Sequence, residues 1–130
     1  MKASSALIFI DFEAYATNPL YPNEIGAIRV QNGSILASFH AFMLPSQDDI
    51  SKIRGTKVEN QFYFTKKITG IVAPWTKGID KCKPCVRYAS GDMHEIADLL
   101  KEFCSCSGEH LREMSKYVTV IGSDEELRKV

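Results

Sequence analysis

Apolar and polar positions along the chain predict a sheet whose first strand ends in two carboxylates. Residues 6–13, Ala-Leu-Ile-Phe-Ile-Asp-Phe-Glu, are mostly apolar and are bounded by polar residues, which is typical of a buried strand. Residues 24–30 and 34–44 are β-prone and flank Asn32-Gly33, a strong hairpin signal. Two prolines and two asparagines in residues 15–23 predict a loop before the second run. The first third is therefore expected to be a three-stranded antiparallel meander.

Helical periodicity appears in the last third of the chain. Asp92 and Glu95 fit a capping box, and apolar residues from Met93 to Phe103 recur on one helical face. Gly108 is predicted to end this helix, and a further half-turn follows it.

Residues 117–122 predict another buried strand, and Ser123 caps a second helix that the chain only begins. A long loop at about 46–91 is predicted between the β-β-β meander and this α-β-α portion. It shows no sustained hydrophobic periodicity. The order predicts one mixed α/β domain over residues 1–130, with the last strand parallel to the first, beyond the hairpin.

Composition favours a globular intracellular protein. The 130 residues are 45% hydrophobic and 25% charged, with no net charge, and suit one domain. The longest apolar run is far shorter than the roughly 20 residues of a membrane span, and no signal peptide precedes it. We therefore expect no membrane contact, a location in the cytoplasm or nucleus, and reduced cysteines.

The net charge of zero hides a basic segment. Residues 52–87 contain nine Lys or Arg and two acids, so they carry about +7 and the remainder about −7. Aromatic rings that stack on bases alternate there with lysines that can contact phosphates, which suits single-stranded nucleic acid. The alternatives are a solvated lysine-rich loop and aromatic residues that pack on the sheet. The candidate nucleic-acid-binding residues are Lys57, Lys66, Lys67, Trp75 and Lys77.

Asp11 and Glu13 are the candidate metal ligands. Their spacing places both on one face of a strand, with Phe12 on the other. Two neighbouring carboxylates repel each other unless a cation lies between them, and oxygen ligands suit Mg²⁺ or Mn²⁺. Two-metal phosphoryl hydrolysis uses such a pair. The alternative is that the two acids mark the solvent-exposed end of a strand.

The cysteines and histidines offer weaker signals. A Cys-x-x-Cys pair and a Cys-x-Cys pair 18 residues further on resemble structural zinc spacing, although two unrelated thiol pairs fit equally well. His40 is interpreted as a strand-face residue, and neither His94 nor His110 has a nucleophile next to it in the sequence. The candidate zinc ligands are Cys82, Cys85, Cys104 and Cys106.

Several motifs in register resemble the DEDDh, or DnaQ-like, 3′-to-5′ exonucleases of the ribonuclease H-like superfamily. The chain has the Asp-x-Glu of Asp11 and Glu13, then Glu24-Ile25-Gly26-Ala27, Leu44-Pro45 and Thr69-Gly70-Ile71, in the family's order. The resemblance implies a ribonuclease H-like fold and removal of nucleotides from the 3′ end of single-stranded RNA or DNA, with two Mg²⁺ or Mn²⁺ ions. Asp124 is the best candidate for the family's third acid; the alternative is that, as the first residue after the Ser123 cap, it only favours the positive end of the helix.

The same resemblance implies an incomplete catalytic site. The family's general-base histidine and final aspartate lie on a later helix, beyond Val130, so the fold is expected to be truncated before its last strand and helix. Weak or absent hydrolysis by this chain alone follows. Residues 37–40 and 121–124 also resemble the Maelstrom domain, a relative that mostly lacks catalytic acids. The alternative function is therefore a pseudo-nuclease module that binds RNA or a protein partner. An open edge at residues 117–122 would favour a homodimer or a partner chain.

Overall fold

The computed structural model describes residues 6–17, 20–53, 71–72, 87–88 and 91–130, which form a mixed α/β structure, as predicted. The strands are β1 (Leu7–Thr17), β2 (Leu20–Gln31), β3 (Ser34–Leu44), β4 (Ile71–Val72), β5 (Arg87–Tyr88), β6 (Gly91–Asp92) and β7 (Val118–Val120). The helices are α1 (Gln47–Ile53), α2 (Met93–Ser105), α3 (Gly108–Glu113) and α4 (Asp124–Arg128). In these ranges no helix is long and apolar enough to cross a membrane.

The main sheet has the strand order β1-β2-β3-β6, and β7 also pairs with β3. β6 runs parallel to β3, with Met43 opposite Gly91. β7 runs antiparallel to β3, with Phe39 opposite Val118. The short strands β4 and β5 form a separate parallel pair.

The expected place of the last strand is wrong. β7 lies antiparallel against β3, whereas the sequence pattern predicted a strand parallel to β1. Backbone hydrogen bonds hold it there: the amides of Ile121 and Gly122 donate to the Leu36 carbonyl, at 2.8 and 2.9 Å, and the His40 amide donates to the Tyr117 carbonyl at 3.0 Å. An apolar run shows that a strand is buried, but its partner depends on the path of the preceding helices.

The predicted β2–β3 hairpin is confirmed. Asn32 and Gly33 have φ values of 53° and 77°. Positive φ at both central residues is the requirement of a type I′ turn, whose twist matches that of the flanking strands. Asn and Gly adopt this region at the lowest cost.

The predicted loop at residues 15–23 is wrong over most of its length. β1 continues to Thr17 and β2 begins at Leu20. Pro22 is tolerated because it stands near the start of β2, where a missing N–H removes little of the ladder. Turn-forming residues in this stretch therefore interrupt the strands less than their number suggests.

The helix caps follow the sequence, with one exception. Asp92 Oδ1 accepts hydrogen bonds from the amides of His94 and Glu95, at 2.9 and 3.0 Å. Ser123 begins α4 with the predicted capping box.

Gly108, predicted to end a helix, instead begins α3, with Ser107 as its cap. A Cβ at Gly108 would lie 2.1 Å from the Leu127 carbonyl oxygen, so glycine is needed where α3 and α4 pack closely.

The chain divides into two compact units. The first contains Met1–Asp11, Ile25–His40 and Ala97–Val130, and its core is formed around Phe39. The Phe39 ring lies 5.5 Å from that of Phe103 and 5.9 Å from that of Tyr117, measured between centroids. The second unit contains Phe12–Glu24 and Ala41–Ile96; its buried side chains include Ala41, Met43, Leu44 and Ile96.

Candidate functional site

A depression of about 380 Å³ lies on the sheet of the first unit. The space above Gly26 is open, since a Cβ added there would have no atom within 4 Å. Its lining residues come from three neighbouring strands: Phe9, Ile10 and Asp11 from β1, Gly26, Ala27 and Ile28 from β2, and Ser38, Phe39 and His40 from β3. The wall is mostly apolar, and Asp11, Ser38 and His40 supply its polar side chains.

Asp11 and Glu13 are both exposed on β1. Strand alternation places them on one face, with one residue between them. Within the described ranges, neither carboxylate has a hydrogen-bond or ion-pair partner. Two exposed carboxylates on one strand face are the kind of oxygen donors that would suit a Mg²⁺-type cation.

His40 lies on the face of β3, as expected, and its side chain is exposed. It lines the same depression as Asp11. Sequence reasoning missed this grouping because the two residues are 29 positions apart and meet only through the order of β1, β2 and β3. The strand-face position of His40, which looked purely structural, is what brings an imidazole to the depression.

Asp124 does not join Asp11 and Glu13. It is the first residue of α4, directly after β7, and its carboxylate forms an ion pair with Arg112. β2 and β3 separate β7 from β1, which corresponds to about 14 Å at the usual strand spacing. Across the described residues no three His, Cys, Asp or Glu side chains are grouped closely enough to hold a metal. The expected three-carboxylate cluster is therefore not formed there.

Comparisons with known proteins add no identification. No family model matches the chain, and neither curated proteins nor solved structures give a significant match. The chemistry of the described residues is therefore what supports a functional proposal. Seven candidate residues lie outside those ranges: Lys57, Lys66, Lys67, Trp75, Lys77, Cys82 and Cys85.

Cys104 and Cys106 are half-buried beside the buried guanidinium of Arg29. Arg29 Nη1 donates to the carbonyls of Phe103 and Cys106, at 3.0 and 2.8 Å, so its charge neutralises the C-terminal end of α2. Burial raises the pKa of both thiols, and Arg29 offsets part of that rise. Both cysteines therefore carry protons at neutral pH, which a metal would have to displace.

His110 is held between two carboxylates of the first unit. Its Nε2 lies 2.5 Å from Glu102 Oε1, and its Nδ1 lies 3.0 Å from Glu113 Oε2. The hydrogen bond with Glu102, and then that with Glu113, raises the pKa of the imidazole. Because both ring nitrogens are occupied, this histidine ties the end of α2 to α3 and leaves neither nitrogen for a ligand.

A separate polar cluster in the second unit begins α1. Ser46 Oγ donates to Asp49 Oδ2 at 2.9 Å and accepts from the Asp49 amide at 3.2 Å. His94 Nε2 lies 3.3 Å from the same carboxylate oxygen. The Ser46 hydrogen bond, and then that of His94, holds the pKa of Asp49 below its usual value. The hydroxyl therefore serves as the cap of α1, a helix that the sequence analysis did not predict, and not as a nucleophile.

Proposed function

We propose that this chain is a nuclease-like domain that binds the 3′ end of single-stranded nucleic acid, RNA in preference to DNA. A divalent ion on Asp11 and Glu13 would contact the terminal phosphate, and the neighbouring depression would receive the terminal nucleoside. Hydrolysis by this chain alone is weak or absent. The observation that carries the proposal is that Asp11 lines the depression together with Phe9 and His40.

The ion follows from the donor set. Asp11 and Glu13 offer hard oxygen ligands, and both are exposed. Mg²⁺ is commonly held by one or two carboxylates and completes its coordination with water and substrate phosphates. Such an ion would polarise a phosphoryl oxygen. The two side chains suit this use because their charges repel each other without a cation.

The depression suits a nucleoside in size and lining. Its volume of about 380 Å³ falls within the usual range of small-molecule sites. Phe9 is exposed and Ile28 is partly exposed, so a base has an aromatic ring and an aliphatic side chain to contact. The Ser38 hydroxyl, which lines the depression, would hydrogen-bond to a ribose 2′-hydroxyl, which DNA lacks, and this favours RNA.

The ribonuclease H-like fold belongs to the same proposal. Its support is the β1-β2-β3 meander, the later succession of α2, β7 and α4, and the motif residues on β1 and β2. The position of β7 against β3 departs from that fold's expected order and leaves Asp124 away from β1. A complete two-metal site is therefore not expected from this chain alone, which is why binding is proposed ahead of hydrolysis.

Fluorescence anisotropy with a 5′-labelled single-stranded RNA tests the proposal. We expect binding that requires Mn²⁺ or Mg²⁺ and weakens about tenfold or more in Asp11→Asn and Glu13→Gln, since a charge-assisted contact contributes about 1.5–3 kcal/mol. Asp98→Asn is the matched control, because it removes the same charge from an exposed residue of α2. RNA affinity that is equal in Asp11→Asn and Asp98→Asn, or the absence of any affinity, would contradict the proposal.

The role of the 3′ end and the extent of hydrolysis need separate measurements. An RNA that carries a 3′-phosphate should bind less tightly than one with a free 3′-hydroxyl, because the terminal nucleoside would no longer fit the depression. On a denaturing gel with Mn²⁺, we expect the wild type to shorten the RNA no faster than Asp11→Ala. Faster shortening would show that the chain is an autonomous exonuclease and that the incomplete-site interpretation is wrong.

A further inference from the structure

The N-terminal half of β1, residues 7–11, is as apolar as a strand in the middle of a sheet, although β1 lies at the end of the described strand order. Leu7, Phe9 and Ile10 are 60%, 61% and 45% exposed. By strand alternation, Leu7 and Phe9 lie on one face and Ile10 on the other. Strands that are apolar on both faces are normally covered on both faces, and natural edge strands usually carry charge or proline instead.

The outer edge of β1 is open among the described strands. There β1 pairs with β2, and it ends the strand order β1-β2-β3-β6. None of the other strands that the structure describes pairs with its outer row of N–H and C=O groups, which is the condition for adding one more strand there. An open, apolar edge is a site for strand addition.

We propose that a second copy of this chain pairs with that edge, antiparallel, about a two-fold axis at Phe9. A two-fold interface requires a surface that is complementary to itself. Ile8-Phe9-Ile10 reads identically in both directions, so pairing about Phe9 places each Ile8 opposite the partner's Ile10 and the two Phe9 rings together. Aromatic and β-branched cross-strand pairs of this kind stabilise sheets.

Charge selects the antiparallel orientation. Parallel pairing in register would place the two Asp11 carboxylates side by side, and like charges on neighbouring strands are destabilising. Antiparallel pairing about Phe9 places Asp11 opposite the partner's Leu7 instead. The carboxylates of the two copies then lie at opposite ends of the interface.

The interface is small, so the dimer is expected to be weak. The proposed contact involves five residues of each strand, three of them exposed and apolar, whereas stable interfaces involve roughly 20–30 residues on each side. Association should therefore depend on protein concentration.

Sedimentation velocity over a concentration series, without nucleic acid, tests the dimer. We expect the mass to rise from 14.6 kDa toward twice that value. Phe9→Lys should keep the protein monomeric at every concentration, because it places two charges at the two-fold axis. Ile121→Lys is the matched control, since Ile121 is similarly exposed, at 55%, but lies outside β1; it should dimerise like the wild type. A wild type that stays monomeric would overturn the proposal.

Hydrogen exchange of the wild type locates the interface without any substitution. Amides of residues 7–11 should exchange several-fold more slowly at high protein concentration than at low concentration. If the protein dimerises but the exchange rates of residues 7–11 are the same at both concentrations, the contact lies elsewhere and the proposal is overturned. This readout decides the matter even if Phe9→Lys fails to fold. Because no RNA is present, the result is also independent of the proposed nucleic-acid binding.

Discussion

Within the first unit, the apolar residues of β1 and those of β3 differ sharply in burial. Leu36, Ala37 and Phe39 of β3 are at most 1% exposed, whereas Leu7 and Phe9 of β1 are mostly exposed. β3 has β2 on one side and β7 on the other, and aromatic side chains of the last third cover it. The hydrophobic content of a strand thus shows that it needs cover, but not that its own chain provides it.

The difference has an energetic meaning. Burying a large apolar side chain contributes about 1.5–3 kcal/mol relative to leaving it exposed. Residues that cover β3 should therefore dominate the free energy of unfolding, and those of β1 should contribute little to the monomer. Substitutions on the two strands and their neighbours measure that contrast directly.

The largest effect is expected at Phe103. Phe103→Ala removes a fully buried ring that contacts Phe39 and should lower the free energy of unfolding by about 3–5 kcal/mol. Phe9→Ala removes a ring of the same size from an exposed position and should change it by about 0.5 kcal/mol or less in dilute, monomeric protein. Urea unfolding gives both values. Equal losses would show that β1 is covered in solution.

An intermediate difference in stability is expected between alanine substitutions at two glycines. Gly108→Ala drives a methyl group into the Leu127 backbone and should cost about 1–3 kcal/mol. Gly26→Ala places the same methyl group in open space, so stability should be unchanged or slightly higher. Thermal unfolding of the two variants provides the comparison. A Gly108→Ala protein as stable as Gly26→Ala would mean that α3 and α4 do not pack as described.

The smallest effect is a pH dependence at His110. Since its pKa is raised in the folded protein, the folded state binds this proton more tightly than the unfolded chain does. The two carboxylate contacts therefore stabilise the fold fully below about pH 6.5, and their contribution is lost as the pH rises through the raised pKa. The wild type should therefore melt at a higher temperature than His110→Gln below about pH 6.5, and this difference should shrink as the pH rises. A difference that stays constant with pH would contradict this assignment.

Local signals in the sequence predicted local structure well. Asn32-Gly33, Asp92 and Ser123 act through hydrogen bonds and backbone angles within a few residues. The turn and the Ser123 capping box have the expected geometry, and Asp92 accepts a hydrogen bond from the Glu95 amide as one half of its expected box. The α1 helix was missed although Ser46 caps it, because its seven residues are too few to show a period.

Contacts between distant residues could not be predicted in the same way. The partner of β7, the close approach at Gly108 and the shared depression of Asp11 and His40 depend on how whole elements pack. The carboxylate pair on β1 was visible because strand alternation alone places it. Asp124 was a candidate for the third carboxylate of the metal site only because of its position in the sequence. Its carboxylate instead forms an ion pair with Arg112.

The guanidinium of Arg29 has a consequence for the time course of folding. It binds the carbonyl of Phe103, which is 74 positions further along the sequence, so the two groups meet only after a long loop has closed. The β2–β3 hairpin, by contrast, can form around its two-residue turn as soon as it is synthesised. A nascent chain would then display the uncovered Phe39 face until residues near 120 emerge. During that interval the exposed apolar face of the hairpin is expected to be prone to aggregation.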